Sequence, residues 1–193
     1  MRSESLKIAL MPISLTLSVL GCGSDPLPAT TVEPPGGPAV TVALAAVALA
    51  GDCGAISSGT STKGGACPTA TPDCGCRQST VQLKVNATDG TRDVTFQVVS
   101  VRIVDPADGA QLDKLTARSP QKWSGNTYVD WDQKIAPLDD FAASYKTSAP
   151  NWTVLSGGRV AQTAYRVEVD LLIDGQARTV SIDGVTREPP IST

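Results

Sequence analysis

The sequence predicts an all-β protein built as a sandwich of two antiparallel sheets. Two observations predict this class. Short segments alternate apolar and polar residues, which is the period of a strand with one buried face. Turn-forming pairs such as Asp89-Gly90 and Asp174-Gly175 separate these segments. Because about seven or eight strands follow one another at fairly regular spacing, the pattern favours a sandwich.

The alternation is clearest in three segments, which are Thr80–Asn86, Asp93–Asp105 and Ala164–Ile173. In the second segment the buried phase changes between Val98 and Val99. A change of phase within one strand indicates a β-bulge, or a bend where the strand passes from one sheet to the other.

The remaining elements have weaker patterns. The run Val40–Ala50 favours a buried strand over a helix, although so short an apolar run fits both. A short helical turn is expected near residues 138–144, because aspartates at its start would suit the helix dipole. Further strands are predicted at Gln111–Arg118, Thr127–Trp131, Trp152–Leu155 and Gln176–Ile182.

The core is expected to consist mostly of aliphatic side chains, since aromatic residues make up only 4% of the chain. The expected core residues are Val85, Phe96, Val98, Val101, Ile103, Tyr128, Trp131, Trp152, Val167, Val169, Leu171 and Val180. In its strand spacing the predicted sandwich is loosely immunoglobulin-like, and a partly open barrel is the alternative.

Residues 1–21 have the pattern of a secretory signal peptide. Arg2 and Lys7 precede an apolar stretch, Ile8–Leu20, whose 13 residues are too few to span a bilayer. The stretch ends Ser-Val-Leu-Gly before Cys22. This ending resembles the lipobox of bacterial lipoproteins, in which the cysteine is acylated and becomes the mature N-terminus.

The resemblance implies a membrane anchor on Cys22. More than one acyl chain is attached in that class, and two chains give stable attachment where one binds only reversibly. Gly23 and Ser24 follow the cysteine, where an aspartate would favour retention in the inner membrane. The resemblance therefore favours the outer membrane of a bacterial envelope.

Residues 22–39 are predicted to form a tether. Five prolines and three glycines in residues 23–39 oppose a helix or a central strand. At about 3.1 Å per residue, such a spacer would hold the domain up to roughly 50 Å from the lipid. The sandwich domain is then predicted to cover residues 40–193.

A segment rich in Gly, Ser and Thr, residues 51–79, carries the other cysteines: Cys53, Cys67, Cys74 and Cys76. Export places them in an oxidising compartment, so two disulfides are expected. Cys74 and Cys76 are each expected to pair with one of the other two, because a bond between them would close a very tight ring. A zinc site with four cysteines is the alternative, although the spacing lacks the usual pair of C-x-x-C motifs.

Composition excludes several functions. The net charge of -3 gives no basic surface for nucleic acid. The chain has no histidine, which excludes Ser-His-Asp catalysis and histidine-ligated metal sites. A hydrolase with paired carboxylates is a further alternative, but strand alternation places Glu168 on an outer face. We therefore expect no enzymatic activity.

Two ligand-binding hypotheses arise from particular residues. Aspartates that could supply oxygen ligands to calcium are Asp130, Asp132, Asp139 and Asp140, although their spacing does not match an EF-hand. Aromatic side chains that could form a carbohydrate-binding face are Tyr128, Trp131 and Trp152, for which packing in the core is the favoured interpretation. Otherwise no cofactor is expected.

The sequence as a whole predicts a lipid-anchored envelope protein with a non-enzymatic sandwich that serves a structural or protein-binding role. Its expected partners are the membrane, through the anchor, and a protein or glycan of the envelope. A carbohydrate- or calcium-binding module displayed on the envelope is the alternative function.

Overall fold

The computed structural model describes residues 27–50, 78–155 and 163–188, and these form eleven strands and one short helix. In chain order they are β1 (Ala29–Val32), β2 (Val40–Ala48), β3 (Thr80–Ala87), β4 (Val94–Val104), β5 (Gln111–Leu115), β6 (Ala117–Ser124), β7 (Thr127–Asp130), β8 (Lys134–Ile135), β9 (Asp140–Thr147), α1 (Trp152–Leu155), β10 (Tyr165–Ile173) and β11 (Gln176–Val185).

Two antiparallel sheets pack face to face, which confirms the predicted all-β sandwich. The six-stranded sheet has the order β1-β2-β3-β9-β6-β7. The five-stranded sheet has the order β11-β10-β4-β5, with β8 also paired to β4. An immunoglobulin-like arrangement of the strands is more specific than a two-sheet sandwich, and it stays a prediction.

The strongest sequence patterns form the middle of the five-stranded sheet. Along β10 every second residue is buried, from Tyr165 to Ile173. Strand β4 pairs with β10 so that Asp170 lies opposite Ser100 and Leu171 lies opposite Val98. Val99 is left as the extra residue between them, which confirms the predicted β-bulge.

The hairpin from β10 to β11 turns at Asp174-Gly175, as the sequence predicts. Both residues have positive φ, 48° and 80°. Two consecutive positive φ values define the type I′ turn, which matches the right-handed twist of the flanking strands. Ile173 and Gln176 are the last residues paired on either side.

Trp131 connects the two sheets inside the core. Its side chain is only 4% exposed, and its ring lies 5.4 Å from that of Phe96 in the five-stranded sheet. On the other side it meets Phe141 edge-on at 5.0 Å and Tyr145 at 6.4 Å, both in the six-stranded sheet. The indole Nε1 donates to the carbonyl oxygen of Lys134 at 2.9 Å, so the one polar atom of the ring is satisfied.

The proline-rich segment expected as a spacer contributes a strand. Strand β1 pairs with β2 from Ala29 opposite Ala43 to Val32 opposite Val40, and Val32 is buried. The prediction of a spacer through residue 39 is therefore wrong for this part. The prolines flank the four strand residues without interrupting them, and an edge strand needs hydrogen bonds on one side only.

The helical turn predicted near residues 138–144 is wrong as well. Strand β9 begins at Asp140, and its residues Phe141, Ala143 and Tyr145 alternate into the core while the backbone pairs with β3. Pairing with a neighbouring strand and burial of this alternating face outweigh the small gain that aspartates would make at a helix N-terminus.

Conversely, Trp152–Leu155 forms the helix α1, where the sequence predicts a strand. Asn151 caps it: its side-chain oxygen accepts from the backbone N–H of Val154 at 3.3 Å, and its carbonyl accepts from Leu155 at 3.0 Å. Among the residues in these three ranges, no helix is long and apolar enough to cross a bilayer.

The core position of Trp131 gives a stability prediction. Trp131→Ala should lower the free energy of unfolding by about 3–5 kcal/mol, because it leaves a cavity between the sheets. Trp131→Phe should cost less, since a ring still fills much of the space. Urea denaturation measures both, with the exposed Val99→Ala as the control expected to change stability by about 0.5 kcal/mol or less. Equal losses for Trp131→Ala and Val99→Ala would contradict the assigned core.

Candidate functional site

The four aspartates proposed for calcium do not form a common site. Asp139 accepts from the backbone N–H of Ala136 at 2.8 Å, and Asp132 accepts from that of Lys134 at 3.2 Å. Asp140 forms an ion pair with Lys84. Asp130 lies on the edge strand β7. Across the described ranges, no three carboxylates or cysteines are grouped so that they could hold a metal ion.

The cysteine predictions fall outside the described residues. These are the lipidation site Cys22 and the proposed disulfide cysteines Cys53, Cys67, Cys74 and Cys76. The two ends of the cysteine-bearing segment do meet, since the backbone N–H of Ala50 donates to Ser79 Oγ at 2.9 Å. Ala50 and Ser79, on either side of the cysteines in the sequence, are therefore neighbours in the structure.

The three aromatic residues of the carbohydrate hypothesis have different surroundings. Trp131 is a core residue, as the favoured interpretation predicts. Trp152 is half-buried, and the Arg187 guanidinium lies 4.6 Å from its ring centre. Tyr128 lies on β7 and meets Trp123 of β6 edge-on, with ring centres 5.0 Å apart. Trp123 was not among the predicted site residues.

The outer face of the five-stranded sheet carries a network centred on Asp170. Arg102 donates to it twice, from Nε to Oδ2 at 2.9 Å and from Nη2 to Oδ1 at 2.8 Å. Ser100 Oγ donates to Oδ2 at 2.6 Å, and Thr179 Oγ1 donates to Oδ1 at 2.9 Å. Arg102 also pairs with Glu168 at 2.9 Å, so Glu168 lies on the outer face as predicted.

The network holds Asp170 in its charged form. Partial burial alone would raise the pKa of Asp170, but hydrogen bonds from Arg102, Ser100 and Thr179 together outweigh it and lower the pKa to about 2. The Asp170 side chain is only 28% exposed, so it is a partly buried member of the network and not a solvated surface carboxylate. Both oxygens are already engaged, so the network stabilises the sheet and leaves this carboxylate no free acceptor for a ligand.

At one end of the sandwich, four turns form what we call the loop end: residues 33–39, 88–93, 136–139 and 174–175. Thr88 connects its turn, residues 88–93, to two others. Its N–H donates to the carbonyl of Ala39 at 3.0 Å, and its carbonyl accepts from the N–H of Leu138 at 2.8 Å. Arg92, in the same turn as Thr88, binds residues 33–39 again through Pro35 O at 3.1 Å and adds the fourth turn through Asp174 at 2.6 and 3.1 Å. These cross-links fix the loops relative to one another.

Leu138 projects from the loop end into solvent. Its side chain is 73% exposed, and its backbone has a φ of 67°, in the left-handed region. For a residue with a branched side chain this conformation costs about 1–2 kcal/mol. The hydrogen bond from its N–H to Thr88 helps hold it there. An exposed apolar side chain kept in a strained conformation is a candidate contact for a partner.

Comparison with protein-family models, with curated proteins and with solved structures found no match for this chain.

The Asp170 network predicts a pH-dependent contribution to stability. Because its pKa is lowered from 3.8 to about 2, the carboxylate stabilises the fold above about pH 4, and this contribution is lost as the pH falls towards 2. Asp170→Asn should cost about 2 kcal/mol at pH 7, one pKa unit being worth 1.36 kcal/mol. The difference from the wild type should shrink between pH 4 and 2.

Chemical denaturation at several pH values measures this difference. The control is Asp183→Asn, whose mostly exposed carboxylate pairs with Arg166 on the same sheet face and should matter much less. A cost for Asp170→Asn that is the same at pH 7 and pH 2 would show that the charge itself contributes nothing.

Proposed function

We propose that this chain is a lipid-anchored protein of the bacterial envelope, whose sandwich has a non-enzymatic, structural or protein-binding role. The resemblance of the segment ending at Cys22 to a lipobox supports the anchor. The loop end, with the exposed and strained Leu138, supports binding of a protein and is the observation that carries the proposal.

The position of β1 limits how far the sandwich would lie from the lipid. Ala29, where β1 begins, is only seven positions after Cys22. At no more than 3.6 Å per residue, Ala29 would lie within roughly 25 Å of the acylated cysteine. This is half the reach expected for a spacer that ends at residue 39, so the domain would lie close to the membrane.

Strand directions place the loop end away from the point where the chain enters. Strand β1 runs towards residues 33–39, which belong to the loop end. The chain from Cys22 joins the opposite end of β1. Leu138 would therefore face away from the anchoring lipid, where a protein of the envelope can reach it. A rigid, exposed apolar contact reduces the entropy that binding costs.

A carbohydrate-binding module is the second candidate function. One observation favours it: Trp123 and Tyr128 form an aromatic pair on an edge hairpin, and Trp123 is 46% exposed. No arrangement of the described residues gives comparable support to the calcium alternative.

The anchor is tested by partition in a detergent that separates into two phases. The wild-type chain expressed in a bacterium should enter the detergent phase, and Cys22→Ala should remain in the aqueous phase. Cys53→Ala is the matched control, which should partition as the wild type does. Recovery of the wild type in the aqueous phase would contradict the anchor.

Leu138 gives a test of the binding role that separates function from stability. Leu138→Asn should raise the free energy of unfolding by about 1 kcal/mol, because asparagine tolerates the left-handed conformation better. The same change should remove protein adducts formed by cross-linking on intact cells. Val154→Asn, on the exposed face of α1, is the control that should keep them. Adducts that persist in Leu138→Asn would exclude this contact.

A further inference from the structure

Trp123 and Tyr128 differ from the other tryptophans and tyrosines in how their polar atoms are used. Four of the six such residues donate inside the fold: Trp131 to Lys134 O at 2.9 Å, Trp152 to Ala50 O at 3.2 Å, Tyr145 to Gln133 Oε1 at 3.2 Å and Tyr165 to Leu155 O at 3.5 Å. Within residues 27–50, 78–155 and 163–188, the Trp123 indole and the Tyr128 hydroxyl have no such acceptor. Both atoms are left for a partner or for water.

The β6–β7 hairpin presents these two rings together. Its two-residue turn, Gly125-Asn126, has a φ of 65° at the glycine, a conformation that costs glycine little. Trp123 and Tyr128 are direct cross-strand partners, and their rings meet at 73°. A contact of this kind orients both side chains before any ligand arrives.

The rings lie on the outer face of the six-stranded sheet. Lys122, the preceding residue, turns towards the core, where its amine lies 5.8 Å from the ring centre of the buried Phe141. Since successive residues of a strand point to opposite faces, Trp123 points outward. Gln121 shares that outer face and is the cross-strand partner of Asp130.

The neighbouring strand, β9, has small outward-facing side chains beside the rings. Ser144 of β9 lies opposite Gln121, and the same register places Ala142 beside Trp123. Both side chains are small, so the two aromatic rings extend further from the sheet than these neighbours do. We call the surface formed by Ala142 and Ser144 beside the rings the shelf. The Gln121 amide and the Asp130 carboxylate make no side-chain hydrogen bond within the described ranges, and their register places them on the same outer face as the rings.

We propose that this outer face of the β6–β7 hairpin, made by Trp123, Tyr128, Gln121 and Asp130, binds a neutral β-1,4-linked glycan. The proposal rests on the second candidate function and assigns it a site. The apolar C–H face of a pyranose ring packs on the Trp123 indole, and the Tyr128 ring closes one side. The Gln121 amide donates to and accepts from sugar hydroxyls, and the Asp130 carboxylate accepts from them. An aromatic surface with a few polar groups is typical of small-ligand sites.

The chemistry of the face selects this class of glycan. A pyranose with equatorial substituents has a flat C–H face, which gives the largest dispersion contact with an indole. The four residues of the site include no basic side chain, so the site itself has no charge that would select an acidic polysaccharide. The open shelf beside the Trp123–Tyr128 pair suits the extended shape of a β-1,4-linked chain better than it suits a curved, helical glycan.

Isothermal titration calorimetry of the mature chain carrying Cys22→Ala tests the site. The probes are cellohexaose and chitohexaose, with maltohexaose as the curved α-linked comparison. We expect saturable binding of at least one β-linked hexaose and binding weaker by about tenfold or more in Trp123→Ala, as for an aromatic residue that carries much of the affinity. Trp123→Phe should retain part of the affinity, and Tyr128→Ala should lose several-fold.

Val154→Ala is the matched control, since it removes an exposed apolar side chain from α1 and should leave binding unchanged. Thermal unfolding checks that each variant is folded, which is expected because Trp123 lies outside the core. No binding of either β-linked hexaose at millimolar concentration, or equal binding by Trp123→Ala, would overturn the proposal. Because the anchor is absent from every sample, this result is independent of whether Cys22 is lipidated or Leu138 contacts a protein.

Discussion

The burial of alternate side chains between two sheets is the constraint on which the rest of the structure depends. In β10 the residues Val167, Val169 and Leu171 face the other sheet, while Glu168 and Asp170 between them face outward. Shifting one strand by a single residue would exchange these two sets. Trp131 reinforces the arrangement by contacting Phe96 of one sheet and Phe141 of the other. With the inner faces committed to packing, the outer faces, turns and edges are left for function.

The sequence correctly predicts those strands whose own alternation of apolar and polar residues is long enough to specify them. Strand β10 alternates over nine residues, and the phase change at Val99 marks the bulge, so both are predicted. The helical turn near residues 138–144 is wrongly predicted because strand β9 forms through pairing with β3, whose Lys84 is 56 positions away from Asp140. Neither a helix dipole nor a local propensity reports on such a distant partner.

The candidate sites are harder to predict for the same reason. Asp170 looks solvated when β10 is read alone, and only the register against β4 and β11 brings Arg102, Ser100 and Thr179 to it. Trp123 lies in a polar segment without a clear pattern, so nothing local distinguishes it from a core tryptophan. For Asp170 the sequence does contain a usable signal, since Arg102 and Asp170 both occupy outward positions of strongly alternating strands.

Two outer surfaces of this sandwich differ in what they offer a ligand. On the five-stranded sheet, both oxygens of Asp170 already accept hydrogen bonds, so a ligand would have to break favourable contacts before making its own. On the β6–β7 hairpin, the edge-on contact between Trp123 and Tyr128 orients both rings. The indole N–H and the phenol hydroxyl have no acceptor among the described residues. Binding of the proposed glycan there would require little reorganisation of the protein. The same principle favours Leu138, whose hydrogen-bonded backbone holds the side chain in place before a partner arrives. Internal pairing therefore stabilises the five-stranded sheet, while the β6–β7 hairpin and the loop end remain available for the contacts proposed above.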